Sequence, residues 1–303
     1  MRDRQPTVRS RELGEGLRQA MKQAGLTGRQ IARQLGWSDS RVSRLLSGTR
    51  GGSESDVASI LALCGVKGKD KERLLRLCKE QHRPGWFQQH GSRMPKQVQT
   101  LVDHETKAVS IRDFQNTLVH GLLQTGPYAR AVMKASPSVP ESEIDDRVAI
   151  RLARRNLFSR ERPPKFIFFI HEFVLRLPVG GAVIMSEQLH ELLQFSVRPY
   201  ITLRVLPAEA GAHAAMSGPF SLMEFPDFKP VVYLDSETSS LFLEEPEEIA
   251  AYRRILTALE DTALDEGQSR DLIRKLAVEL YADREDHDQL EEEQLQRQRW
   301  QLR

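Results

Sequence analysis

The sequence predicts two domains: an N-terminal all-α bundle of about five helices, then an α+β domain with a mixed or antiparallel sheet. Three observations predict it. Short helical stretches with repeated caps and glycine stops fill residues 11–82. After residue 96, strand-sized apolar runs alternate with helical patterns. The net charge of +2 divides unevenly: residues 1–82 hold 17 Lys+Arg against 9 Asp+Glu, net +8, and the rest hold 27 against 33, net −6. A basic module on an acidic body points to a polyanionic partner for the first part alone. Composition, with 28% charged and 40% hydrophobic residues over 303, is that of a soluble globular protein. No apolar run approaches the about 20 residues of a membrane helix, and Met1-Arg2-Asp3-Arg4 has no apolar stretch behind it, which argues against a secretory signal. The expected location is the cytoplasm. The expected organisation is a DNA-facing module over 1–82, a linker over 83–95, an effector or partner domain over 96–282, and a charged tail or helix over 283–303.

The elements follow in order. Residues 1–10 read as loose. Leu13, Leu17, Met21 and Ala24 line one face of a first helix that Gly25 stops. Thr27 caps a second helix carrying Ile31, Ala32 and Leu35, ended by Gly36. Ser38 caps a third, with Val42, Leu45 and Leu46 inward, ended by Gly48. Ser53 and Asp56 have capping-box spacing and open a fourth helix. A fifth runs from Lys69 to His82. Cys64 and Cys78 fall on apolar stripes and read as core residues, since two cysteines alone make neither a metal site nor a disulfide scaffold. Residues 83–95 contain Pro, Gly and Ser without a period, and Trp86 and Phe87 suggest that this linker docks. Beyond it come a helix at 96–105, a strand at 107–114, a loop at 120–125 and helices at 128–134 and 141–158. Strands follow at 165–171, 200–206, 220–225, 231–234 and 241–243, with a helix at 185–195 between the first two. Pro246 opens another helix, and Leu272, Ile273 and Leu276 mark the last.

Residues 28–46, GRQIARQLGWSDSRVSRLL, have helix-turn-helix spacing. Ala32 is small where the next helix crosses. Gly36, four residues on, supplies the positive φ of the turn, and Val42, six further on, packs the second helix onto the first. With net +8 around it, this spacing points to double-stranded DNA. Asp39, Ser40, Arg41, Ser43 and Arg44 then face outward, on the helix end that enters a major groove. Arg41 or Arg44 is suited to two parallel hydrogen bonds with guanine. Asp39 suits a cytosine amine or its own helix dipole. Thr27, Arg29, Ser47, Thr49 and Arg50 are suited to phosphates, which position without specifying, and the cap Ser38 is counted with the DNA-facing set.

The stretch LTGRQIARQLGWSDSRVSRLLSGTR resembles the Xre-type (Cro/repressor-like) helix-turn-helix. It differs at Gly28, where Gln is common, and at Trp37, where a small aliphatic residue is usual. HGLLQTGPYARAVM, LRLPVGG, LPAEAGAH, GPFSLMEF and VVYLDSETSSLFLEEPEEIAAYRR are similar to a domain of unknown function that follows Xre-type modules in actinomycete regulators, often described as antitoxin-like. In that group Pro usually stands at His120 and Glu at Asp235. The resemblance spans residues 10–280. It implies a DNA-binding regulator, often encoded beside a small partner protein, and implies neither ligand nor reaction.

For the second domain the residues leave three readings. One is a sensor or partner-binding domain, with Arg176, Gly180, Gly181, His213, Tyr233, Asp235 and Glu237 on its loops and strand ends. Arg176 suits an anion or a neighbouring Glu; Gly180-Gly181 suits a ligand's approach or a plain turn; His213 suits a ligand or a structural bond. Another is an enzyme. His171-Glu172 and His190-Glu191 lack the second His of a metal motif, and no nucleophile motif, phosphate loop or dinucleotide fingerprint is present. The last is an interaction scaffold, with Arg147, Arg151 and Arg154 forming a basic helix face for an acidic partner. The expectation is a non-enzymatic transcriptional regulator without cofactor or metal. It binds DNA as a homodimer, and an effector or small protein controls it. The alternative is an antitoxin-like scaffold whose DNA binding serves its own regulation.

Overall fold

The computed structural model describes residues 7–48, 52–80, 86–89, 95–237 and 239–282. The tail expected over 283–303 lies outside them, as do Thr49 and Arg50. Two compact units form: His104 and the residues before it with Met223–Ala251, and Glu105–Leu222 with the residues from Tyr252 on.

The first unit opens with five helices: α1 (Val8–Gln23), α2 (Gly28–Leu35), α3 (Asp39–Ser47), α4 (Glu54–Leu63) and α5 (Gly68–Glu80). α1 begins earlier than its apolar period suggests, because Thr7 caps it by accepting the Ser10 N–H. Leu13, Leu17, Ile31, Val42, Val57, Ile60, Leu61 and Leu77 build the core, and burying such side chains is what holds short helices together. α1 crosses α3 at Gly14, where a β-carbon would stand 2.1 Å from the Leu46 carbonyl oxygen. Cys78 is buried in this core and Cys64 packs against it; burial pushes both thiols up.

Strands belong to this unit as well. Part of the expected linker is strand β1 (Trp86–Gln89), antiparallel to β7 (Ser239–Leu243) with Trp86 opposite Phe242. β6 (Val231–Asp235) pairs antiparallel with β7 on its own account. Arg11 of α1 shows why residues beyond 222 join the bundle. Its buried guanidinium lies 4.9 Å from the ring centres of both Phe225 and Phe228 and 3.7 Å from Glu244. Glu244 also takes the Val8 N–H at 2.8 Å. Burial pulls Arg11 down to about 10, with Glu244 and Asp103 opposing. The aromatic and acidic partners of Arg11 lie more than 200 residues away, which is why composition does not reveal them.

The second unit is built on three parallel strands, β2 (Ser110–Gln115), β3 (Lys165–His171) and β4 (Ile201–Leu206). β3 is central among them: Phe166 to Ile170 are all buried, as a parallel strand covered on both faces requires. Around it stand α7 (Gly126–Ala135), α8 (Ile144–Ala153), the single turn α9 (Glu172–Arg176), α10 (Ala182–Phe195) and α12 (Glu266–Ala277). Two elements straddle the unit boundary by residue number: α6 (Pro95–Lys107) and α11 (Pro246–Thr262). With β5 (Phe220–Glu224), the C-terminal region has six strands, β2–β7, of mixed pairing: an α+β fold after an all-α bundle, as the sequence predicts.

The helix expected over 141–158 is interrupted. A 3-10 turn at Glu141–Glu143 leads into α8, and a second covers Arg154–Ser159. The tighter winding carries Leu157 and Phe158 inward, and the Tyr200 hydroxyl donates to the Phe158 carbonyl at 2.8 Å.

Candidate nucleic-acid interface and effector region

α2 and α3 are set by local chemistry. Thr27 and Gln30 form a reciprocal capping box: the Thr27 hydroxyl accepts the Gln30 N–H, and the Gln30 side-chain amide oxygen, Oε1, accepts the Thr27 N–H at 2.8 Å. Gly36 ends α2 with φ 64°, a conformation costly for a residue with a β-carbon. The Trp37 N–H then closes the turn on the Ala32 carbonyl at 2.8 Å. Ser38 caps α3 by accepting the Arg41 N–H at 3.3 Å. Ile31, Ala32, Val42 and Leu45 are buried, which locks the two helices together. The helix-turn-helix is thus present, with its caps, its turn glycine and these buried apolar positions where the spacing expects them.

Asp39, Ser40, Arg41, Ser43 and Arg44 are exposed on α3, and Arg29 is exposed on α2. The Ser40 hydroxyl lies 3.1 Å from that of Ser38, and half-buried Ser47 donates its hydroxyl to the Arg44 carbonyl. The side chains of Thr27 and Ser38 serve as caps.

Two residues that spacing alone does not single out shape this face. The Arg41 guanidinium lies 4.3 Å from the centre of the Trp37 ring and donates to Asp56 at 2.9 Å. Asp56 is also the reciprocal partner of Ser53 in the capping box that starts α4. The signals were the unusual Trp in the turn and a capping-box carboxylate with an oxygen to spare.

The loop residues singled out for the C-terminal domain divide between the units. Arg176, Gly180, Gly181 and His213 belong to the second; Tyr233, Asp235 and Glu237 belong to the first. Arg176 pairs with Glu172 one turn back, donating at 2.7 Å from Nε. Glu172 also accepts the Ala208 N–H at 2.9 Å. Burial pushes the Glu172 carboxyl up, but that N–H, Arg176 and the nearby His171 outweigh it and hold the carboxyl below its ordinary value. Gly180 and Gly181 form the turn before α10, with φ of 77° and 97°. A methyl at Gly180 would stand 2.9 Å from the Ala131 β-carbon, so packing onto α7 explains it without a ligand. Tyr233, Asp235 and Ser240 form a hydrogen-bonded set across the β6–β7 hairpin, and Glu237 is exposed at its tip.

The basic helix face is corrected by the structure. Arg147 pairs with Glu143, Arg151 donates to Gln124 at 2.8 Å, and Arg154 grips Glu105 with two nitrogens. These guanidiniums find their acceptors inside the second unit: Arg147 one turn back, Arg151 on the 116–125 loop and Arg154 on α6.

Periodicity also missed a buried polar group at β2. Asp113 is fully buried, accepts from Ser221 at 2.5 Å and Gln115 at 3.1 Å, and lies 3.6 Å from His120. Burial pushes the Asp113 carboxyl up to about 7, against the pull of Ser221 and Gln115. Burial, aided by Arg154 and Arg151, pulls His120 down to about 3, so its ring is neutral. Its Nδ1 accepts the Leu122 N–H, which leaves the proton on the nitrogen near Asp113.

Residues 12–74 match a helix-turn-helix domain. No functionally curated protein matches the chain. Among solved structures, the chain is similar to TrmBL2, described as an archaeal chromatin protein with a novel mode of DNA binding. The identity is 10% over 79% of this chain and 88% of that one, with a TM-score of 0.28, too low to carry an argument. Among the described residues no helix is long and apolar enough to cross a membrane. Residues 98–275, more than half of the sequence, match a domain of unknown function, DUF5753, and the chain belongs to that family.

Proposed function

We propose that this protein is a sequence-specific transcriptional regulator of the Xre type. Its N-terminal helix-turn-helix reads duplex DNA and its C-terminal region responds to an effector. One observation carries the reading: α3 presents Arg41 and Arg44 outward, on a helix capped by Ser38 and braced by α2 across Gly36. The N-terminal half of such a helix suits a major groove. Arg41 or Arg44 reads a guanine, and Arg29 and Arg50 hold phosphates. The protein acts as a homodimer, since one small module rarely reaches useful specificity, and two half-sites stand about 34 Å apart or a multiple of that. It performs no catalysis. The internal pairing of Arg147, Arg151 and Arg154 favours a small-molecule effector over an acidic protein partner.

The test is retention of genomic fragments at low ionic strength, followed by titration of the enriched site. Arg44→Ala weakens that site by about 1–3 kcal/mol and relaxes one base position. Arg50→Ala weakens all sequences alike and lowers the salt slope by about one. Failure of the parent chain to retain any fragment overturns the reading.

A further inference from the structure

The parallel strands of the second unit bring aromatic rings to their carboxyl ends, where ligand sites of such sheets lie. Phe114 stands near the end of β2 and His171 ends β3. His213 follows β4 after the turn at Ala208–Ala210. The two imidazole centres are 5.5 Å apart at 33°, and Phe114 meets the His213 ring edge-on at 5.5 Å. We infer that His171 and His213 contact the head group of a small carboxylate with an apolar tail, a site that deepens the effector reading above and rests on it.

The tautomers decide the chemistry. Nδ1 of His171 accepts the Phe173 N–H at 3.1 Å, and Nδ1 of His213 accepts the Ala215 N–H at 3.2 Å. A ring nitrogen that accepts keeps its lone pair, so in each neutral ring the proton sits on Nε2. Both side chains are half-buried, and among the described residues neither Nε2–H has a partner. Two rings 5.5 Å apart, each with an N–H to give, call for an acceptor. A metal ion is the wrong occupant: it takes the lone pair of Nε2 and leaves Nδ1–H to donate, the reverse of both rings here.

Charge favours an anion over a neutral carbonyl. Hydrogen bonds to a carboxylate are roughly twice as strong as neutral ones. Burial first, and then the neighbouring His171, hold His213 below its ordinary value. A phosphate is less suited, since Arg176, the single cationic residue of 171–177 and 207–216, is bound to Glu172. The tail follows from exposure. Phe173 is 52% exposed and Met216 66%, large apolar side chains on the same two segments as the histidines.

Calorimetric titration of the full chain with octanoate tests this, with octanamide and inorganic phosphate as competitors. The expected result is saturable octanoate binding at least tenfold tighter than either competitor. His171→Asn and His213→Asn keep a side-chain acceptor for the main chain, but their amide N–H groups fall short of the place of Nε2–H. Each is expected to melt near the parent and to bind octanoate at least tenfold more weakly. Non-saturable binding, a competitor equal to octanoate, or a double variant that binds like the parent overturns the inference. DNA retention by the same sample separates the two readings: a chain that takes up octanoate but holds no DNA sinks only the regulator, and the reverse result sinks only this site.

Discussion

Arg41 on α3 and Arg154 just past α8 each hold a carboxylate, Asp56 at 2.9 Å and Glu105 at 2.5 Å. Their surroundings differ. Arg41 and Asp56 keep 49% and 20% of their side chains in water, against 9% and 3% for Arg154 and Glu105. An exposed pair contributes about 0–1 kcal/mol, so its guanidinium is exchangeable for a base edge at little cost. A buried pair that loses one member leaves an uncompensated charge, at about 3–5 kcal/mol. The same residue type is therefore an exposed, exchangeable group in the first unit and an internal strut in the second. A charge pattern in sequence does not separate the two roles; burial does.

Four variants sharpen the contrast, in falling order of effect. Arg154→Ala is expected to destabilise the chain by about 3–5 kcal/mol in urea titrations; a loss under about 1 kcal/mol would make it a surface residue after all. Gly14→Ala forces α1 and α3 apart and costs about 1–3 kcal/mol, the usual range for overpacking, with weaker DNA retention because α3 shifts.

Asp113→Asn tests the buried carboxyl through pH. The folded value near 7 exceeds the ordinary one, so its stabilising contribution is present at low pH and fades as pH climbs to about 7. The urea midpoint of the variant is expected to rise relative to the parent between pH 5 and pH 8; a constant difference refutes a buried, protonated Asp113. Asp56→Asn has the smallest stability cost, about 1 kcal/mol or less. It loosens Arg41 from its seat on Trp37, and the readout is altered base discrimination on an enriched site at near-unchanged melting.

The helix-turn-helix was legible because its determinants are local. Thr27 with Gln30, Gly36 after Ala32, and Ser38 with Arg41 each act within four residues. The C-terminal region yielded its strands and most helices through apolar periodicity. Its polar chemistry did not show, because the partners are distant in sequence: Asp113 meets Ser221, and Arg154 meets Glu105 across a helix break that periodicity reads as continuous. His213 was singled out, but its neighbour His171 was noticed only as half of an incomplete metal motif. Trp37 was seen as unusual; its use needed Asp56, which sequence placed only as a cap.

The clamp on Arg11 bears on how such regulators diversify by recombination. A DNA-reading module exchanged at residue 82 would carry a guanidinium whose aromatic walls and counter-ion stay behind with the donor's other half. Swaps of the reading head between relatives should succeed only when residues 223–251 travel with it, or when an apolar side chain takes the place of that cation.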